Sequence, residues 1–90
     1  MKKFIKFTSV DNVATVFYGV PANETLMIDG AAIQASETIP YGHKIAVTHI
    51  PQGAHIIKYG EIMGSSTKDI RPGDWVHVHN IQSIRGLGKR

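Results

Sequence analysis

Apolar and polar positions alternate over short stretches of this chain, and helical spacing is nearly absent. Short runs rich in β-branched residues are separated by turn chemistry, which is the pattern of a compact antiparallel β domain. It predicts strands at Phe4–Thr8, Ala14–Phe17, Thr25–Ile28, Ala31–Ala35, His43–Val47, His55–Tyr59 and Asp74–His79. Asp29-Gly30, between two of these, reads as a two-residue hairpin turn, because glycine accepts a positive φ without steric cost. Ser9–Val13 reads as a turn or a single helical turn. The expected fold class is all-β, with short strands and tight Pro/Gly corners.

One local pattern recurs. Ile39-Pro40-Tyr41-Gly42 and Ile50-Pro51-Gln52-Gly53 share a form, and Ile70-Arg71-Pro72-Gly73 is a variant. Proline second and glycine fourth suit a type I turn, since the ring presets φ and glycine releases the chain into the next strand. In the last run, strict alternation sends Val76 and Val78 toward the core and Trp75, His77 and His79 to the opposite face.

Composition narrows the class. Ninety residues allow one domain with a modest core. With no cysteine, disulfide scaffolds and thiolate metal sites are excluded. No apolar stretch approaches the roughly 20 residues of a membrane-spanning helix. The basic start never develops a signal-peptide core, so a cytoplasmic location is expected. The net charge of +3 and pI of 9.4 come from the ends: Lys2, Lys3 and Lys6, then Arg85, Lys89 and Arg90. Between residues 7 and 84, four cations face seven acids. A folded basic stripe with interleaved aromatics is missing, so no nucleic-acid partner is expected.

The candidate chemistry is histidine chemistry. His77-Val78-His79-Asn80 places two imidazoles two residues apart, where they can bind a metal or exchange protons near neutrality. The plain alternative is a pair of surface histidines, and a zinc site would still need a third strong ligand, from His43, His49 or His55. Gly42-His43-Lys44 offers a proton donor and a fixed charge for a carboxylate just after a corner; its plain alternative is a corner glycine followed by two solvated residues. Lys58-Tyr59-Gly60 ends another strand. The sequence contains no dinucleotide-binding, P-loop, zincin or nucleophile-elbow motif and no carboxylate cluster. The residues describe a binding or accessory module.

Several motifs, in order and spacing, resemble the SAF domain of the altronate/galactarate dehydratase family. They are Gly42-His43-Lys44-Ile45-Ala46, Ile50-Pro51-x-Gly53-Ala54, Ile57-Lys58-Tyr59-Gly60, Ile62-x-Gly64, Asp69-Ile70-x-x-Gly73 and Val76-His77-Val78-His79-Asn80. Asp11-Asn12-Val13-Ala14 and the Arg85-Gly86-x-Gly88 tail are also similar. The resemblance implies a β-clip over residues 1–82, with 83–90 a basic tail or linker toward a catalytic region. It implies the dehydration of sugar acids, by removal of the proton α to a carboxylate and loss of the β-hydroxyl. It also implies iron, held mainly by a larger catalytic chain or C-terminal region outside this sequence, with His77 and His79 as candidate ligands here.

By that resemblance His77 and His79 are the candidate catalytic residues, and His43, Lys44 and Asn80 the candidate substrate-binding residues. The imidazole pair and the His43-Lys44 corner are expected to converge on one rim. Two other readings stay open. The chain also resembles the small subunit of sulfolactate sulfo-lyase, whose enzyme eliminates sulfite, and a non-catalytic carbohydrate- or protein-binding module fits the same residues.

Overall fold

Each corner of the chain starts on a buried branched residue. Val20, Ile39, Ile50 and Ile70 are inaccessible to solvent and bridge in pairs, Val20 with Ile39 and Ile50 with Ile70. The computed structural model describes residues 3–83. In all four corners the chain turns back through one hydrogen bond. Glu24 N donates to Pro21 O, His43 N to Pro40 O, Ala54 N to Pro51 O and Asp74 N to Arg71 O, at 2.9–3.2 Å. The third residue of each turn has positive φ: Asn23 75°, Gly42 83°, Gly53 88° and Gly73 96°. These are type II turns and not the expected type I, because only type II needs a left-handed residue at that position. The corner at Pro21 escaped the sequence pattern because asparagine stands where the others have glycine.

The described residues form nine strands: β1 (Phe4–Ile5), β2 (Val13–Val16), β3 (Thr25–Ile28), β4 (Ala31–Gln34), β5 (Lys44–Ala46), β6 (His55–Lys58), β7 (Glu61–Ser66), β8 (Trp75–Val76) and β9 (Ile81–Ser83). They form antiparallel sheets ordered β1-β2-β5-β8, β3-β4 and β6-β7-β9. Among the described residues there is no helix, so the all-β expectation holds, and none long and apolar enough to cross a membrane. Strands β2 and β5 separate two hydrophobic clusters. Ala14, Val16 and Ile45 pack into one with Leu26, Ile28, Ile33 and Ile39; Val13 and Ala46 pack into the other with Ile50, Ile56, Ile70 and Val76. Alternation along a strand puts successive side chains on opposite faces, so two adjacent strands serve both cores.

Three local expectations are corrected. Strand β7 was not anticipated, because Gly64-Ser65-Ser66 shows no apolar alternation. Its glycine is required by packing: a Cβ there would overlap the Gln82 carbonyl of β9. Strand β9 was not anticipated either. The strand expected over Asp74–His79 is only Trp75–Val76, and Val78 is 78% exposed instead of facing the core. A turn closed by Asn80 ends the strand and frees Val78 from the alternation. Apart from Ser83, which lies in β9, the tail expected over 83–90 falls outside the described residues.

Candidate functional site

The geometry of the site starts from one strand pairing. Register between β5 and β8 sets Lys44 opposite Val76 and Ile45 opposite Trp75. This carries the Gly42 corner alongside the end of β8, although more than thirty residues separate them. His43 and His77 then lie with ring centroids 4.5 Å apart. Trp75 sits among the imidazoles: 5.6 Å from His43, 5.6 Å from His77 with the planes only 8° apart, and 5.0 Å from His79. Its indole N–H donates to His43 Nδ1 at 3.1 Å. His43, Trp75 and His77 are half-buried and His79 is exposed, so the cluster forms a rim open to solvent.

Asn80 makes this arrangement possible from beneath. Its side chain is buried; Oδ1 accepts from His77 N at 3.0 Å, and Nδ2 donates to Trp75 O at 2.9 Å. The backbone N–H of Asn80 also donates to His77 O at 3.1 Å. An asparagine that bonds neighbouring backbone in this way closes a turn. Both ends of its amide face the protein backbone, so in this structure Asn80 shapes the loop that presents His77 and His79. The other two histidines lie away from the rim. His49 Nε2 lies 2.8 Å from Asp69 Oδ1, and His55 opens β6, where its carbonyl accepts from Asn12 Nδ2.

The rim is electropositive. Burial lowers the pKa of Lys44, and the nearby Lys58 lowers it further. Partial burial likewise lowers the pKa of His77, with His43, Lys44 and His79 acting in the same direction. Among the described residues neither Lys44 nor Lys58 has an acidic partner, and Lys58 instead lies over the Phe7 and Tyr59 rings at 5.8 and 5.6 Å. A half-buried group of cations and imidazoles without a carboxylate suits an anion. Lys58 adds its charge to that of Lys44, a contribution that its place at the end of a strand does not reveal.

A titration follows. His77 is expected to take up its proton below the ordinary histidine value of 6.5, and Lys44→Met to move that midpoint upward while leaving the effect of burial. Nuclear magnetic resonance of the imidazole protons reads both. An unchanged midpoint in Lys44→Met would show that the ammonium does not act on the ring.

Metal ligation fits these residues poorly. Among the described residues no three imidazole or carboxylate groups gather as an ion requires, and the indole occupies His43 Nδ1.

The profile of the altronate/galactarate dehydratase SAF domain matches residues 2–84. The chain belongs to this family. An altronate dehydratase of Bacillus subtilis (strain 168) is 37% identical over 83 residues, which are 92% of this chain and 17% of that protein. The L-threo-forming galactarate dehydratase of Escherichia coli (strain K12) is 39% identical over 75 residues, 81% of this chain and 14% of that one. The (2R)-sulfolactate sulfo-lyase subunit alpha of Paracoccus pantotrophus is 38% identical over 53 residues, 59% of this chain and 79% of that subunit. This SAF chain therefore spans about a sixth of the dehydratases it matches, and the greater part of a lyase subunit.

Proposed function

We propose that the chain is the SAF part of a sugar-acid dehydratase of the altronate/galactarate type, acting with a larger catalytic chain or region. Together they eliminate water from a 2,3-dihydroxy acid to give a 2-keto-3-deoxy acid. The observation that carries this reading is the convergence of His43, His77 and His79 around Trp75, beside a Lys44 with no acidic partner among the described residues. The elimination needs a base for the proton at C2, a proton for the hydroxyl leaving C3, and positive charge beside the carboxylate as electrons shift toward it.

His77 suits the base, because a ring with a lowered pKa is neutral and able to accept a proton near pH 7. Lys44 suits the carboxylate, and His79 lies at the exposed edge where a leaving hydroxyl can receive a proton. The iron implied by the family resemblance is assigned to the larger catalytic region, consistent with the poor fit of the rim to a metal. The product enol becomes the 2-keto acid by proton transfer to C3.

The test is reconstitution with the large chain. The isolated chain is expected to be inactive, and the complex active on altronate or galactarate. His77→Ala is expected to lower kcat about 100-fold, the size of a lost acid–base group. Unchanged turnover in His77→Ala and His79→Ala, with weaker association, would favour a binding module instead. The lyase-subunit relative supports a second reading, elimination of sulfite from sulfolactate. The same complex assayed with both substrates separates the two.

A further inference from the structure

We propose that Trp75 is a positioning residue that locks His43 as its Nε2–H tautomer, so that the ring offers the bound acid a fixed hydrogen-bond donor. The role in turnover rests on the functional reading above; the lock does not. An indole nitrogen can only donate a hydrogen bond, and its N–H reaches His43 Nδ1 at 3.1 Å. Nδ1 must therefore accept, and a proton on that atom is incompatible with the bond. The proton of the neutral ring is left on Nε2.

The surroundings hold both partners in place. Trp75 lies in β8, where its neighbour Val76 is fully buried, and its carbonyl accepts from the buried Asn80. His77 lies parallel to the indole and holds that ring plane. His43 follows the Gly42 corner directly, and its own N–H is bound to Pro40 O at 3.1 Å. Two segments already held side by side by the pairing of β5 with β8 are thus joined again by a side-chain hydrogen bond. Free imidazole in water exchanges between two tautomers, whereas here the donor of a neighbouring strand selects one. A carboxylate or hydroxyl oxygen of the substrate would find a donor of fixed position and direction, with Lys44 supplying the charge next in sequence.

The experiment uses the nitrogen-labelled 90-residue chain above about pH 8, well above the pKa of a free imidazole. In the wild type, the His43 shifts should report a bare Nδ1 and a protonated Nε2. Trp75→Phe keeps an aromatic ring but removes the donor, and should give the averaged shifts of mixed tautomers. In the reconstituted enzyme, Trp75→Phe should lower kcat about tenfold with KM within twofold, as expected when a group is misoriented and not removed. If Trp75→Phe fails to fold, His43→Ala replaces it, and the Trp75 indole N–H should then exchange with solvent faster.

Mixed tautomers in the wild type, tautomers unaltered by Trp75→Phe, or indole exchange unaltered by His43→Ala would overturn the lock. A lock lost without any change in kcat would overturn the positioning role. Failure of the functional reading looks different, because His77→Ala would then leave turnover intact while the nitrogen shifts still decided the tautomer.

Discussion

Gly73→Ala is expected to destabilise the fold by more than about 3 kcal/mol, whereas Gly53→Ala should cost only about 1–2 kcal/mol. In sequence the two glycines occupy the same place in repeated corners. Both have positive φ, 96° and 88°, so alanine at either is strained. They differ in what lies over them. A Cβ at Gly53 meets nothing within 4 Å, but one at Gly73 overlaps the Gln34 carbonyl oxygen and lies 3.0 Å from its carbon. That oxygen belongs to backbone and cannot rotate aside, so strand β4 or the corner has to move.

Movement would strain the bonds from Ser36 N to Gly73 O at 3.0 Å and from Gly73 N to Ala46 O at 2.8 Å. It would also shift Asp74 and Trp75, which lead into the rim. For a domain of this size the loss corresponds to a fall in Tm of more than about 12 °C. Urea midpoints at constant m-value measure the difference. Equal losses in the two variants would show that the close approach of β4 to the corner is not a constraint.

Asp11→Ala is expected to cost about 3–4 kcal/mol, much of the total stability of a domain this small. Asp11 is 2% exposed. Its carboxylate accepts from Phe7 N, Thr8 N, Thr8 Oγ1, Tyr59 N and Gly60 N at 2.6–3.2 Å. The last two donors form the tip of the β6–β7 hairpin, where Tyr59 and Gly60 have φ of 60° and 72°. A left-handed tyrosine is disfavoured, and the carboxylate holds it there by binding both amides. Asp11→Asn should be nearly as damaging, because an amide nitrogen would face N–H donors. Its neighbour Asn12 pins the same hairpin, accepting from Ile57 N at 2.8 Å and donating to His55 O at 2.9 Å.

Burial pushes the Asp11 carboxyl upward, but the bonds from Thr8, Gly60 and Tyr59 outweigh it and hold the pKa at about 2, against an ordinary 3.8. The folded value lies below the unfolded one, so between them the unfolded chain binds more protons. The stabilisation is complete above about pH 4 and is lost as the pH falls toward 2. Denaturation midpoints measured across that window should fall for the wild type and less steeply for Asp11→Asn. Parallel curves would show that the carboxylate is not held as described.

Much of the site was legible one element at a time, and the errors have local causes. His77, His79 and Trp75 stood out from alternation, but alternation alone sent Val78 inward. The Asn80 side chain decided otherwise, since its two bonds to the Trp75 and His77 backbone replace further strand pairing. Asp11 read as part of a turn, because the hairpin tip it binds lies nearly fifty residues away. A carboxylate that accepts from distant backbone leaves no periodic trace.

By itself the sequence determined an all-β chain with sharp corners, its family, and the residue types available for chemistry. Those follow from local causes: a proline ring restricts φ, glycine permits a left-handed turn, and branched residues in short runs favour strands. Only the tertiary structure decided that three imidazoles meet around one indole, which of several similar glycines lies under another strand, and which carboxylate holds a hairpin. Those outcomes depend on β5–β8 register and on backbone approaching backbone across long sequence separations. Local propensity carries no record of such distances.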